Sequence, residues 1–143
     1  PVATYGCETW TLKKEEKRIQ AFENKTIRKL LRIPWTKQMT NTQVYNMAKT
    51  KPELLCHIKS RKLRYFGHVM RQQHDSIEGS VMAGLVEGAR GRGRPRVCWI
   101  DNIMTWSGLT GTSLLQATRD RGRWTTLTHP CSLPSRCDDG AMT

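Results

Sequence analysis

Acidic residues are scarce in this chain. Twelve Asp and Glu stand against 24 Lys and Arg, leaving a formal net charge of +12. Self-repulsion of that size opposes compaction and a polyanion relieves it, so nucleic acid ranks first among partners and anionic membrane surface second. Apolar side chains are also few. Leu, Ile, Val and Phe together make up 27 of the 143 residues, close to the disorder-prone regime for a chain of high net charge. Five Trp and three Tyr offset the shortage, because each aromatic ring buries a large area. The expectation is a modest core with loose ends. No run approaches the roughly 20 apolar residues of a membrane span, and no signal-peptide pattern is present. Pro1 stands where Met would be, and Val2, Ala3, Thr4 and Tyr5 read as the end of a strand, as expected of a fragment or of a processed start.

Close cysteine pairs are missing as well. Cys7, Cys56, Cys98, Cys131 and Cys137 are scattered and odd in number, unlike a disulfide framework or a zinc site. Reduced, partly buried thiols in an intracellular compartment are the expectation. Catalytic motifs are equally absent: there is no Walker loop, dinucleotide fingerprint or nucleophile elbow. The pair Asp138 and Asp139 could hold metal ions in a polymerase. Here it follows Arg136 and Cys137 in a proline-containing tail, not an aromatic residue in a turn between hydrophobic strands. Neither Cys56 with His57 nor Cys131 with Cys137 supplies the two close ligand pairs of a structural zinc site. His68 reads as a packed or phosphate-contacting histidine. No catalytic residue and no metal ligand is assigned.

What is present is helical periodicity. Thr11 is placed to cap a helix over 13–31, with Ile19, Phe22, Ile27, Leu30 and Leu31 on one face. Pro34 ends it. Thr40 and Gln43 have the spacing of a capping box for a short second helix. A third opens at Pro52 and carries Leu54, Leu55, Ile58, Tyr65, Phe66 and Val69 to about Met70. Glycines then break the pattern, and Val81, Leu85 and Val86 suggest a weak hairpin. A fourth helix is predicted over 97–106, closed by Gly108. A fifth starts at Thr112 or Ser113, where Ser113 and Gln116 repeat the capping-box spacing, and carries Leu114, Leu115, Ala117 and Trp124. Beyond His129 periodicity disappears.

Positive charge concentrates in two places. Lys59, Arg61, Lys62, Arg64 and Arg71 lie between His57 and His74 with no acid among them. On a helix, Arg61, Arg64 and Arg71 fall largely away from the apolar stripe, and a helix with one cationic face can lie along a phosphate backbone. The second cluster is Arg90, Arg92, Arg94 and Arg96, alternating with Gly91, Gly93 and Pro95. Glycine allows close backbone approach and arginine offers planar forks to phosphate. Gly93, Arg94 and Pro95 resemble the core of an AT-hook, which enters the minor groove of A·T-rich DNA. A solvated helix face and a flexible basic linker are the plain alternatives.

Several stretches, in order, resemble one family. The run from Tyr5 through Gly6, Cys7, Glu8 and Thr9 to Trp10 is similar to the segment that follows the palm of non-LTR retrotransposon reverse transcriptases. Arg28, Lys29, Leu30, Leu31, Arg32 and Ile33 with Trp35 resemble the end of the family's next helix. Arg61, Lys62, Leu63, Arg64, Tyr65, Phe66, Gly67, His68 and Val69 resemble its arginine-rich "RRLRWLGHV" run. Glu87 and Gly88 through Arg96, then Trp99 and Ile103, resemble a basic loop followed by a tryptophan-containing helix. Asp120, Arg121 and Trp124 resemble its closing motif. The matches cover about residues 5–127, with Cys7 where serine is usual and Gly122 where a charged residue is frequent. The chain is therefore similar to the C-terminal, thumb and post-thumb part of RTE-type endonuclease-reverse transcriptases.

The resemblance and the periodicity together set the expectations. The fold is mainly α: a small helical bundle, a Gly/Arg-rich loop, two further helices and a disordered C-terminal tail. Residues 1–12 are a strand-like lead-in from an upstream domain, 13–70 a thumb-like bundle, 71–97 the basic connector, 98–128 a helical pair, and 129–143 the tail. The resemblance implies a nucleic-acid-binding part of an RNA-directed DNA polymerase whose endonuclease and catalytic aspartates lie upstream. Lys59, Arg61, Lys62, Arg64, Arg71, Arg90, Arg92, Arg94 and Arg96 are the candidate nucleic-acid-binding residues. No cofactor belongs to this chain itself, and Mg2+ belongs to the upstream palm. DNA and RNA, foremost an RNA–DNA hybrid, and the upstream polymerase domain are the expected partners. No membrane is involved, and the place is nuclear or cytoplasmic. A stand-alone AT-hook-like DNA-binding module and a non-functional remnant of a retroelement are the rival readings.

Overall fold

The computed structural model describes residues 2–12, 15–34, 36–72, 77–83 and 99–130. Among them the chain is mainly helical and contains no strand. Seven α-helices follow one another: α1 (Glu16–Leu30), α2 (Asn41–Ala48), α3 (Leu54–Arg71), α4 (Ile77–Ala83), α5 (Trp99–Ser107), α6 (Gly111–Arg119) and α7 (Arg121–Leu127).

The longest helix, α3, is the axis of the fold. Ile58, Leu63 and Phe66 are buried along it and meet Cys7, Leu12, Ile103, Trp106, Leu114 and Trp124 from four other segments. The Phe66 ring lies 6.1 Å from Trp99 and 6.0 Å from Trp124, centroid to centroid, within the favourable range for tilted aromatic pairs. Few aliphatics are needed because α5 and α7 each bring an indole to the same place.

Gly67 lets α7 come close. A Cβ at this position would overlap the Trp124 indole, whose Nε1 donates to the Leu63 carbonyl at 3.1 Å. Ser60 Oγ donates to the Thr128 carbonyl at 2.5 Å and Arg71 Nη1 to the Thr118 carbonyl at 2.9 Å. The Leu63–Trp124 and Ser60–Thr128 contacts run in opposite chain directions, so α7 lies antiparallel to α3.

The α1–α2 arm is held differently. No residue of α1 is buried, and Phe22 and Leu30 are 51% and 76% exposed. Side-chain hydrogen bonds tie it down. Tyr45 on α2 donates to Asn24 Oδ1 at 2.7 Å, and Arg28 donates to the Met39 carbonyl at 2.7 Å. Glu23 Oε1 accepts from the backbone N–H groups of Glu53 and Leu54 at 2.9 and 3.1 Å, so a carboxylate on α1 caps the positive end of α3. An apolar hollow of about 680 Å3 remains between arm and axis, lined among others by Trp10, Leu12, Ile19, Phe22, Leu54 and Ile58.

Several expectations hold in detail and others change. The Thr40–Gln43 capping box is formed in both directions. Helix α1 ends with Arg32 left-handed at φ 50°, just before Pro34. The strand-like lead-in is instead two short 3-10 turns, Val2–Thr4 and Cys7–Thr9, because the segment is pinned by side chains from α3 and α5 and meets no partner strand among the described residues. Helix α1 starts at Glu16, with Glu15 rather than Thr11 at its N-cap. Val81 sits in helix α4 rather than in a hairpin, while Leu85 and Val86 lie outside the described residues. The predicted fifth helix is two: Asp120 leaves helical geometry at ψ 101° and its carboxylate accepts from Arg123 N at 3.0 Å, starting α7 afresh. Ser113 does not cap α6; its hydroxyl donates back to the Thr110 carbonyl at 2.6 Å. The C-terminal tail expected to be disordered lies, beyond Pro130, outside the described residues.

Candidate nucleic-acid interface

Helix α3 contains no acid over its 18 residues. Its cations nevertheless divide into two sets, because a 3.6-residue period places them on different faces. Lys62 follows Ile58 by four residues and precedes Phe66 by four, which puts it on the buried stripe.

Lys62 is fully buried. Its Nζ donates to the Trp10 carbonyl at 2.6 Å and to Asn102 Oδ1 at 2.8 Å. The same ammonium lies 4.6 Å from the Trp99 ring centroid and 5.3 Å from that of Trp106, within cation–π range. Burial lowers its pKa to about 8, since desolvation disfavours the charged form. Asn102 in turn clasps Leu12, donating to its carbonyl at 2.5 Å and accepting from its N–H at 2.9 Å. Trp99 Nε1 donates to the Glu8 carbonyl at 2.7 Å. Lys62, Asn102 and Trp99 thus fasten segment 8–12 across α3 and α5.

Lys59 is also buried, with Nζ 3.4 Å from Glu16 Oε1 and 5.4 Å from the Trp106 ring centroid. Of the described residues expected to contact phosphate, Lys59 and Lys62 are thus the two whose side chains lie inside the fold. Each ammonium already has protein partners, and moving either outward would empty a buried polar position.

The arginines face outward. Arg61 is half-exposed and bidentately engaged with the N-terminal segment, Nη2 lying 2.5 Å from Glu8 Oε1 and Nη1 3.3 Å from the Thr4 carbonyl. A hydrogen bond from its own backbone N–H, and then the Arg61 guanidinium, holds the Glu8 carboxyl below the usual carboxylate range. Burial pushes the neighbouring Cys7 thiol up. Arg64 is exposed, with no hydrogen bond or ion pair among the described residues. Arg71 is exposed and uses one nitrogen on the Thr118 carbonyl, leaving the rest of its fork to solvent. Arg64 and Arg71, and partly Arg61, are thus the members of the α3 set available to an anion. Arg90, Arg92, Arg94 and Arg96 lie outside the described residues, as do Asp138 and Asp139.

Two features escaped the sequence reading. The Lys62 position had a signal in its spacing to Ile58 and Phe66, outweighed by the habit of placing lysine in water. The other is the corner between α6 and α7, where Arg119, Arg121 and Arg123 are all exposed. Its signal was three arginines within five residues, diluted by Asp120.

Among the described residues no three His, Cys, Asp or Glu side chains come together as metal ligands. No helix among the described residues is long and apolar enough to cross a membrane. Cys7 and Cys56 are free thiols. In comparisons with known proteins, no family model, no curated protein and no solved structure matches the chain.

Proposed function

We propose that this chain binds nucleic acid, as the thumb-like C-terminal part of a retrotransposon RNA-directed DNA polymerase that grips template–primer duplex or target DNA through phosphate contacts. The observation that carries the reading is the outward face of α3, where Arg64 and Arg71 stand exposed on a helix without a single acid. Arginine forks on a rigid, core-anchored helix suit phosphate oxygens and position a duplex without reading its sequence. The net charge of +12 adds a long-range attraction to any polyanion. The order of family-like motifs along residues 5–127 supplies the polymerase part of the reading, and with it an intracellular place, nuclear or cytoplasmic. Chemistry belongs to an upstream palm, and this part contributes hold.

The experiment is fluorescence anisotropy with a labelled RNA–DNA hybrid, competed by A·T-rich duplex DNA and titrated with salt. Hybrid binding that weakens steeply with salt is the expected result. A marked preference for A·T-rich duplex moves the reading to an AT-hook-like module centred on Arg92, Arg94 and Arg96. A salt-independent or absent interaction overturns nucleic-acid binding altogether.

A further inference from the structure

Helix α7 and its C-cap are fastened to α3 by Leu63–Trp124 and Ser60–Thr128, and the end of α6 just before them by Arg71–Thr118. Taking Gly67 and Trp124 as the facing positions, a turn of 100° per residue places Arg64, His68 and Arg71 on one flank of α3. Because α7 runs antiparallel, the same construction places Arg121 on the flank of α7 that adjoins them, and Arg123 on the opposite flank. Arg119 lies next to Thr118, the residue whose carbonyl receives Arg71. All of these arginines are exposed.

Acid is nearly absent from both walls. Asp120 is the single acidic residue from Gly108 to Pro130, and one of its carboxylate oxygens is turned to the α7 backbone, accepting from Arg123 N at 3.0 Å. The described ion pairs of the fold, at Glu16, Glu8 and Glu53, all lie on other residues. The crease between α3 and α7 is thus a cationic strip whose arginines form no ion pair among the described residues, held rigid by a buried tryptophan.

We propose that Arg119 and Arg121 join Arg64 and Arg71 in one phosphate-binding surface along this crease, and that its partner is the backbone of a nucleic-acid duplex. A duplex fits better than a single strand. Unstacked bases need exposed aromatic platforms; α6 and α7 expose none, Trp124 being buried against Gly67, and the partly exposed Tyr65 of α3 is already paired edge-to-face with Trp99 at 6.4 Å. The inference rests on the nucleic-acid reading above and extends it to a second helix.

The test compares Arg121→Gln with Arg123→Gln, two charge-matched changes two residues apart on one helix. Binding to mixed-sequence duplex DNA is measured against salt for the full chain, with Arg64→Gln as reference and circular dichroism to verify that each variant folds. Each lost phosphate contact lowers the slope of log affinity against log salt by about 0.9. The expected result is a drop of about that size for Arg121→Gln and Arg64→Gln, and the unmodified slope for Arg123→Gln. Equal slopes for Arg121→Gln and Arg123→Gln, with Arg64→Gln still lowered, overturn the crease and leave the nucleic-acid reading standing. A wild-type slope near zero overturns both.

Discussion

The two ends of α3 are held by different physics. At its N-terminal end the α1–α2 arm attaches through polar contacts, Glu23 capping the helix and Glu16 meeting Lys59, while Tyr45 meeting Asn24 ties α2 to α1. Phe22, Leu30 and Met47 of the arm stay largely in contact with water, while Val44 and Tyr45 of α2 are buried. Further along the helix Trp99 and Trp124 pack on Phe66, and the Trp99 and Trp106 rings lie against the Lys62 ammonium. In a chain short of aliphatic residues, stability therefore gathers where the tryptophans are. An amphipathic pattern makes a helix, but it does not guarantee that its apolar face is covered.

The sharpest way to break this contrast is to cut one ring from each region. Trp124→Ala should cost about 3–5 kcal/mol, the range for removing a large buried aromatic. Phe22→Ala, on the half-exposed face of α1, should cost about 1 kcal/mol or less. Urea unfolding of both variants measures the ratio, and comparable losses would mean that the arm shares the core's packing.

The next effect is a pH dependence. Lys62 has its folded pKa lowered to about 8 from an ordinary 10.5, so between those values the unfolded chain binds more protons than the folded one. Its contribution to stability therefore rises with pH across that window, and below pH 8 the full penalty of burying the charge is present. Cys7 works the other way, because a raised thiol pKa makes stability fall as pH climbs past its ordinary 9.0. Referencing wild type to Lys62→Met removes the cysteine term. Wild type should gain on the variant by up to about 3 kcal/mol between pH 8 and 10.5. A pH-independent difference would place the ammonium in water.

The smallest expected change lies in the arm. Thr40→Ala removes the reciprocal cap of α2 and should cost about 1 kcal/mol, read as a small shift in the unfolding midpoint. A shift as large as that of Trp124→Ala would make α2 part of the core.

Much of the helical order was legible in the sequence. Thr40 with Gln43, Pro34, and the Leu54–Phe66 stripe each announce a local preference that the fold respects. Non-local facts were not. That Asn102 clasps Leu12 ninety residues earlier, and that the strand-like segment before it forms 3-10 turns, is invisible to periodicity. The site was half legible. Periodicity separates Arg61, Arg64 and Arg71 from the apolar stripe, but composition groups Lys59 and Lys62 with them by charge. Only non-local partners, the Trp10 carbonyl, Asn102 and the indoles of α5, explain how an ammonium comes to rest inside.

The claim that α3 assigns its buried lysine to the fold and its exposed arginine to a polyanion is best tested on Lys62→Met and Arg64→Gln together, each measured for unfolding free energy and for the salt slope of duplex binding. Arg64→Gln should leave stability within about 0.5 kcal/mol and lower the slope by about 0.9, whereas Lys62→Met should change stability and its pH dependence and keep the slope. A lowered slope in Lys62→Met beside an unaltered one in Arg64→Gln would contradict the division.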